Sequence, residues 1–124
     1  MFNITIVLPH LPPSELNPNR LRRLHWSQRS REVKSARQEM YFEAISSKNG
    51  HPPIKKARVH YQFIVKGNRR HDLDNLLACC KPYLDGLVDA HVIVADDIKH
   101  LEIGSVRAEY GNRDETIISV EAIK

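Results

Sequence analysis

Asp72-Leu73-Asp74-Asn75 sets two carboxylates two residues apart and follows them with a short polar amide. Oxygen donors of this kind suit a hard cation such as Mg²⁺, which takes one or two carboxylates and keeps several waters. A second carboxylate pair, Asp96-Asp97, begins 22 residues after Asp74. The lead-in to the first pair is basic, with Lys66, Arg69, Arg70 and His71. A polyanion surface beside a cation site suits metal-assisted phosphoryl chemistry. The commonplace role for an Asp in this position is a helix N-cap. Two carboxylate pairs next to a basic turn favour a metal site over that role.

Other chemistries find less support. Seven histidines show no ligand spacing for zinc. Five glycines form no phosphate-binding loop. Glu32-Val33-Lys34 resembles the tail of a nuclease E-x-K triplet, but a Glu- and Lys-rich helix yields such triplets by chance. An aspartyl-nucleophile phosphatase needs an apolar strand before its D-x-D, and here the lead-in is Lys66 to His71. The adjacent thiols Cys79 and Cys80 are expected to pack in the core. Neighbouring cysteines almost never form a structural disulfide, which fits a reducing compartment.

The net charge of +4 hides an asymmetry. Residues 1–70 carry 14 Lys/Arg against 4 Asp/Glu, and residues 71–124 carry 5 against 11. Such a division points to a polyanionic partner for the basic half. With 124 residues and 41% hydrophobic content, the chain is expected to form one domain, residues 1–124, rather than a disordered segment. No run approaches the ~18 apolar residues of a membrane span. No apolar signal region follows the first residues, so a cytoplasmic location without membrane contact is expected.

The elements that must position these groups follow from periodicity. Phe2 to Leu8 alternates and is β-branched, as a strand does. Residues 9–26 hold four prolines and the cluster Arg20, Arg22, Arg23 and His25, a basic Pro-rich loop with Trp26 as its aromatic anchor. A helix capped by Ser27 or Ser30 runs to about Ile45, with Val33, Ala36, Met40 and Ala44 on its apolar face. Asn49 to Pro53 turns the chain. Ala57 to Val65 alternates as a strand with one buried face. A second helix runs from the Asp72 region to about Val88, with Leu73, Leu76, Leu77, Cys80, Leu84, Leu87 and Val88 as its stripe. Pro82 should kink or divide it. If continuous, it would align Asp74, Lys81 and Asp85 within about 20°, which places Lys81 to approach a phosphate held at Asp74, or to pair with Asp85. Two strands, about Lys99–Tyr110 and Thr116–Ile123, joined by a turn at residues 111–114, complete an α+β domain: a mixed or antiparallel sheet with two main helices.

Four stretches resemble the RusA-like Holliday junction resolvases, common in bacteria and prophages. They are Leu8-Pro9 through Pro12-Pro13-Ser14 to Asn17, then His25-Trp26, then Arg69 to Leu76, and finally Leu84-Asp85-Gly86-Leu87 with Val94-Ala95-Asp96-Asp97. Their order and spacing span nearly the whole chain. The resemblance implies a small α+β homodimer that uses Mg²⁺ or Mn²⁺ to cut four-way DNA junctions in recombination and repair. It implies metal-binding aspartates at Asp72, Asp74 and Asp97, with Asp96 beside them. The family's pattern has a functional lysine four residues after the second aspartate. Here that position is Ala78, and Lys81 follows in a segment three residues longer before Asp85. Asp72, Asp74, Asp97 and Lys81 are thus the expected catalytic groups. Asn17, Arg20, Arg22, Arg23, Lys66, Arg69 and Arg70 are the expected DNA contacts. A non-catalytic or differently selective branched-DNA-binding phage or prophage accessory protein with the same fold is the alternative.

Overall fold

The computed structural model describes residues 2–123; the two ends of the expected domain, Met1 and Lys124, lie outside them. Four strands form one sheet: β1 (Asn3–Leu8), β2 (Ala57–Lys66), β3 (Leu101–Gly111) and β4 (Glu115–Ala122). Their spatial order is β1-β4-β2-β3. β4 runs antiparallel to both β1 and β2, whereas β2 and β3 are parallel. The fold is therefore α+β with a mixed sheet. β3 and β4 follow one another in sequence yet do not pair. Residues 112–114 carry the chain across the end of β2, where Asp114 Oδ1 accepts the Lys66 backbone N–H at 2.7 Å. A turn signal between two strands looks like a hairpin in sequence; here β4, which buries alternate residues, takes a central place beside β1 and β2, whereas β3, which buries none fully, takes the edge.

Alternation decides which sheet face is buried. Ile4, Ile6, Leu8, Val59, Phe63, Ile118 and Val120 are all buried on one side. They join a single core with α2 (Trp26–Lys48) and α4 (Lys81–Asp89). Ala36, Met40 and Ala44 recur every four residues along α2 and are its buried positions. Gly86, without a side chain, lets α4 come close: a Cβ there would sit 2.7 Å from the Arg37 carbonyl oxygen and 2.8 Å from Met40 Cβ. Arg37 closes the same contact with two hydrogen bonds to Asp89, at 2.8 and 3.0 Å. The first helix starts and ends a little outside its expected bounds. His25, rather than Ser27 or Ser30, caps it through Nδ1, which accepts the Ser27 N–H. Asn49 ends it in the left-handed region.

The segment from 9 to 26 is ordered more than its prolines suggest. It holds a 3-10 turn (Ser14–Leu16) and a short helix, α1 (Pro18–Leu21). Leu16 is buried, His10 Nε2 meets Glu39 at 2.6 Å, and Thr116 Oγ1 donates to the His10 carbonyl at 2.7 Å. Trp26 is not the anchor; it is 68% exposed. The second expected helix is divided into α3 (Leu73–Ala78) and α4. Pro82 has no N–H to give the Ala78 carbonyl, so the ladder stops, Cys79 and Cys80 make the joint, and Pro82 sits in the first turn of α4 where no donor is needed. Both thiols are buried and free, and burial raises their pKa. No helix among the described residues is long and apolar enough to cross a membrane.

Candidate functional site

β2 delivers the chain to the site. Gly67 turns it with φ +74°, a conformation that favours glycine, and residues 68–71 lead into α3. Asp72 takes the N-cap position in extended geometry, but its side chain makes no capping hydrogen bond. Its carboxylate instead faces Arg70 Nε at 3.7 Å and accepts from Asn75 Nδ2 at 3.4 Å. Asp74, in the first turn, accepts the Asn75 backbone N–H at 3.0 Å. Leu73, between the two acids, is 40% exposed. It therefore does not join the apolar stripe assigned to it.

The basic loop meets this helix start. Asn17 caps α1 by accepting the Asn19 N–H at 3.0 Å and gives Nδ2 to Asn75 Oδ1 at 3.4 Å. Arg20 is steadied by Ser14 Oγ at 2.7 Å. Between loop and helix lies an open cleft of about 560 Å³, whose lining includes Asn17, Arg20, Arg70, Asp72 and Asn75. A relay of side-chain amides thus links the loop to the Asp72 carboxylate. Asn75 is the group that the expected residue set omits, although its amide was visible beside the acids.

The second carboxylate pair is engaged elsewhere. Lys81 Nζ donates to Asp85 at 2.7 Å and to Asp96 at 2.5 Å. Partial burial opposes the ammonium charge, but the hydrogen bonds to Asp85 and Asp96 outweigh it and hold the lysine pKa above its usual value. The same Lys81 bond holds the Asp96 carboxyl below its usual range. Asp97 Oδ1 accepts from His100 Nδ1 at 2.7 Å and from the Lys99 N–H at 3.0 Å, and the His100 bond leads in lowering its pKa. The expected line of Asp74, Lys81 and Asp85 fails, because the joint at Cys79-Cys80 separates the two helices; only the Lys81–Asp85 pair at i,i+4 remains. Among the described residues, no group of three His, Cys, Asp or Glu side chains is arranged to hold a metal ion. The structure brings Asp72, Asn75, Asn17, Arg20 and Arg70 to one cleft and ties Asp96 to Lys81 and Asp97 to His100.

The other expected DNA contacts differ in their surroundings. Arg69 Nη2 pairs with Asp114 at 3.1 Å and so braces the β3–β4 crossing. Asp114 is held below the usual carboxylate range, first by the Lys66 backbone N–H and further by Arg69. Lys66, Arg22 and Arg23 are exposed. Arg22 folds back onto the Asn19 side chain.

No family model matches the chain. A protein of Xylella fastidiosa (strain Temecula1), described as an uncharacterized protein, is 32% identical over 104 residues, which cover 72% of this chain and 65% of that protein. The chain thus spans slightly less than two thirds of the relative it matches.

Proposed function

We propose that this chain is a Mg²⁺-dependent, structure-selective endodeoxyribonuclease that hydrolyses phosphodiester bonds in branched DNA, Holliday junctions foremost. The observation that carries the reading is the Asp72 carboxylate. It stands at a helix start without capping it, on a cleft that also presents Arg20 and Arg70. A carboxylate left out of its usual structural role and set beside cations suits a hard ion and a phosphate together.

The donor set fits such an ion. Asp72 on the cleft, and Asp74 two residues further, would supply carboxylates, and Mg²⁺ needs only one or two because waters and substrate oxygens would complete its shell. When bound, it would polarise the scissile phosphate and acidify a water. The chain's own residues supply the rest. Asn75 orients Asp72 through its amide. Arg20 and Arg70 hold backbone phosphates, which positions DNA without reading bases. Lys81, 58% exposed at its side chain, can leave Asp96 for a phosphate oxygen and offset charge developing there. That exchange would free Asp96; Asp97 would act only if its bond to His100 opened as well. The reading includes Mn²⁺ as a substitute ion, a homodimer that presents two sites to one junction, and a cytoplasmic role in DNA recombination and repair, in a bacterial or prophage setting.

Cleavage of a synthetic four-way junction in Mg²⁺ tests it. Wild type should cut, and Asp72→Asn should bind but not cut, since removing a negative charge beside the phosphate lowers repulsion. Equal cutting by both would remove Asp72 from the mechanism. A non-catalytic branched-DNA-binding module is the second reading, favoured by Ala78 and by the engagement of Lys81 with Asp85 and Asp96. Junction binding with no nicking in Mg²⁺ or Mn²⁺, on junctions, flaps and forks alike, would select it.

A further inference from the structure

We infer that Trp26 and the arginines around it form a stacking platform for an unpaired nucleobase, so the DNA this chain takes up carries single-stranded character at or beside its branch. The inference rests on the reading that the chain engages DNA, and deepens it by naming the feature of the substrate. Trp26 is the only tryptophan in the sequence and opens α2 with 68% of its surface exposed. Its one ring neighbour among the described residues is His25, tilted 36° at 5.5 Å. Residues 17–31 contain five arginines and no Asp or Glu. Arg22, Arg23, Arg29 and Arg31 are exposed and, among the described residues, enter no ion pair with a carboxylate.

The chemistry of the partner follows from what surrounds the ring. At i+3 and i+4 on the helix stand Arg29 and Ser30, both exposed. Val33, one turn further, packs against the core. Among the described residues, the next exposed large hydrophobic side chain along α2 is Phe42, so the indole offers little matching area to a protein's apolar face or a bilayer. A partner that offers a flat π face with negative charge within a few ångströms does match, and that describes a nucleotide. Bases in a duplex already stack on each other; an unpaired base has a face to give, and stacking of this kind tolerates any sequence. Arg22, Arg23 and Arg29, all within four residues of Trp26 in the sequence and exposed, would hold the adjoining phosphates and add cation–π attraction.

A single tryptophan lets intrinsic fluorescence report on this place alone. Titration of the whole chain with oligo(dT), with a matched duplex and with phosphatidylglycerol vesicles, all in EDTA, is the test. Oligo(dT) should quench the emission in step with binding measured by anisotropy of a labelled strand; the duplex should quench far less at equal occupancy. Trp26→Ala should weaken oligo(dT) binding roughly 5- to 150-fold, and Trp26→Phe should restore most of it. Circular dichroism of both variants checks folding. Oligo(dT) bound with unchanged emission, no binding of oligo(dT) at all, or an emission shift with vesicles alone would each overturn the platform. Quenching without cleavage of any branched DNA would leave the platform standing and remove the nuclease reading; cleavage without quenching would do the reverse.

Discussion

Asp72 is held by a neighbouring amide rather than by the helix it precedes. Among the described residues, the Asn75 side chain hydrogen-bonds Asp72 and Asn17 and no other group. Groups that orient an ion's ligands typically matter by 10- to 100-fold. Asn75→Ala should therefore lower the initial rate of junction cleavage by about that factor while thermal stability changes little. Asp114 works in the opposite register. Its loss takes acceptors from the Lys66 N–H and Arg69, and Asp114→Ala should cost about 1 kcal/mol by urea denaturation, a value kept low because the site is part-exposed. Because folding depresses its pKa, the stabilisation is present above the unfolded value and fades as pH falls through the folded one. The difference between wild type and Asp114→Ala should thus shrink below about pH 4. The closeness of Asp72 and Asn75 on one cleft followed from local spacing in the sequence. The Lys81–Asp96 pair did not, since only the fold brings residues 15 apart together. Trp26 was misread for a physical reason: composition says that a tryptophan prefers burial, but not whether a hole exists for it.

Elements were legible where periodicity is strong and unopposed. The alternation of Ala57 to Val65 emerges as β2 with every second residue buried. The Ala36, Met40, Ala44 spacing emerges as the inner face of α2. Pro82 divided its helix as its missing donor requires. Strand pairing was less legible, because a short turn constrains which residues are close but not which strand lies between. The β3–β4 connection crosses β2 for that reason. The α2–α4 contact gives a prediction at this scale. Gly86→Ala forces a Cβ against backbone at 2.7 Å, and overpacking of this kind costs about 1–3 kcal/mol. Denaturant melts should show that loss, and junction cleavage should survive where the variant remains folded, because Asp72 and Asp74 lie at the start of α3 and Lys81 lies five residues before Gly86 on α4.

For the whole molecule, the division of charge along the sequence becomes a spatial arrangement. Residues of the basic half, Arg20 and Arg70, share a cleft with Asp72, one of the carboxylates of the acidic half. DNA binding should then weaken steeply with salt, and each arginine–phosphate contact contributes about one unit to the slope of log K against log salt. The double variant Arg20→Gln, Arg70→Gln should flatten that slope by about two, measured by anisotropy over a salt series with a labelled junction. An unchanged slope would place the DNA elsewhere on the surface.

On the proposed reading, the Asp72 and Asp74 carboxylates at the start of α3 support metal-assisted hydrolysis of DNA. The initial rate of four-way junction cleavage in Mg²⁺, wild type against a folded Asp74→Asn at equal junction occupancy, tests it most directly. A loss of more than about 100-fold, with binding kept or tightened, is the expected result. Cleavage within a few-fold of wild type, or cleavage that persists in EDTA, would contradict it.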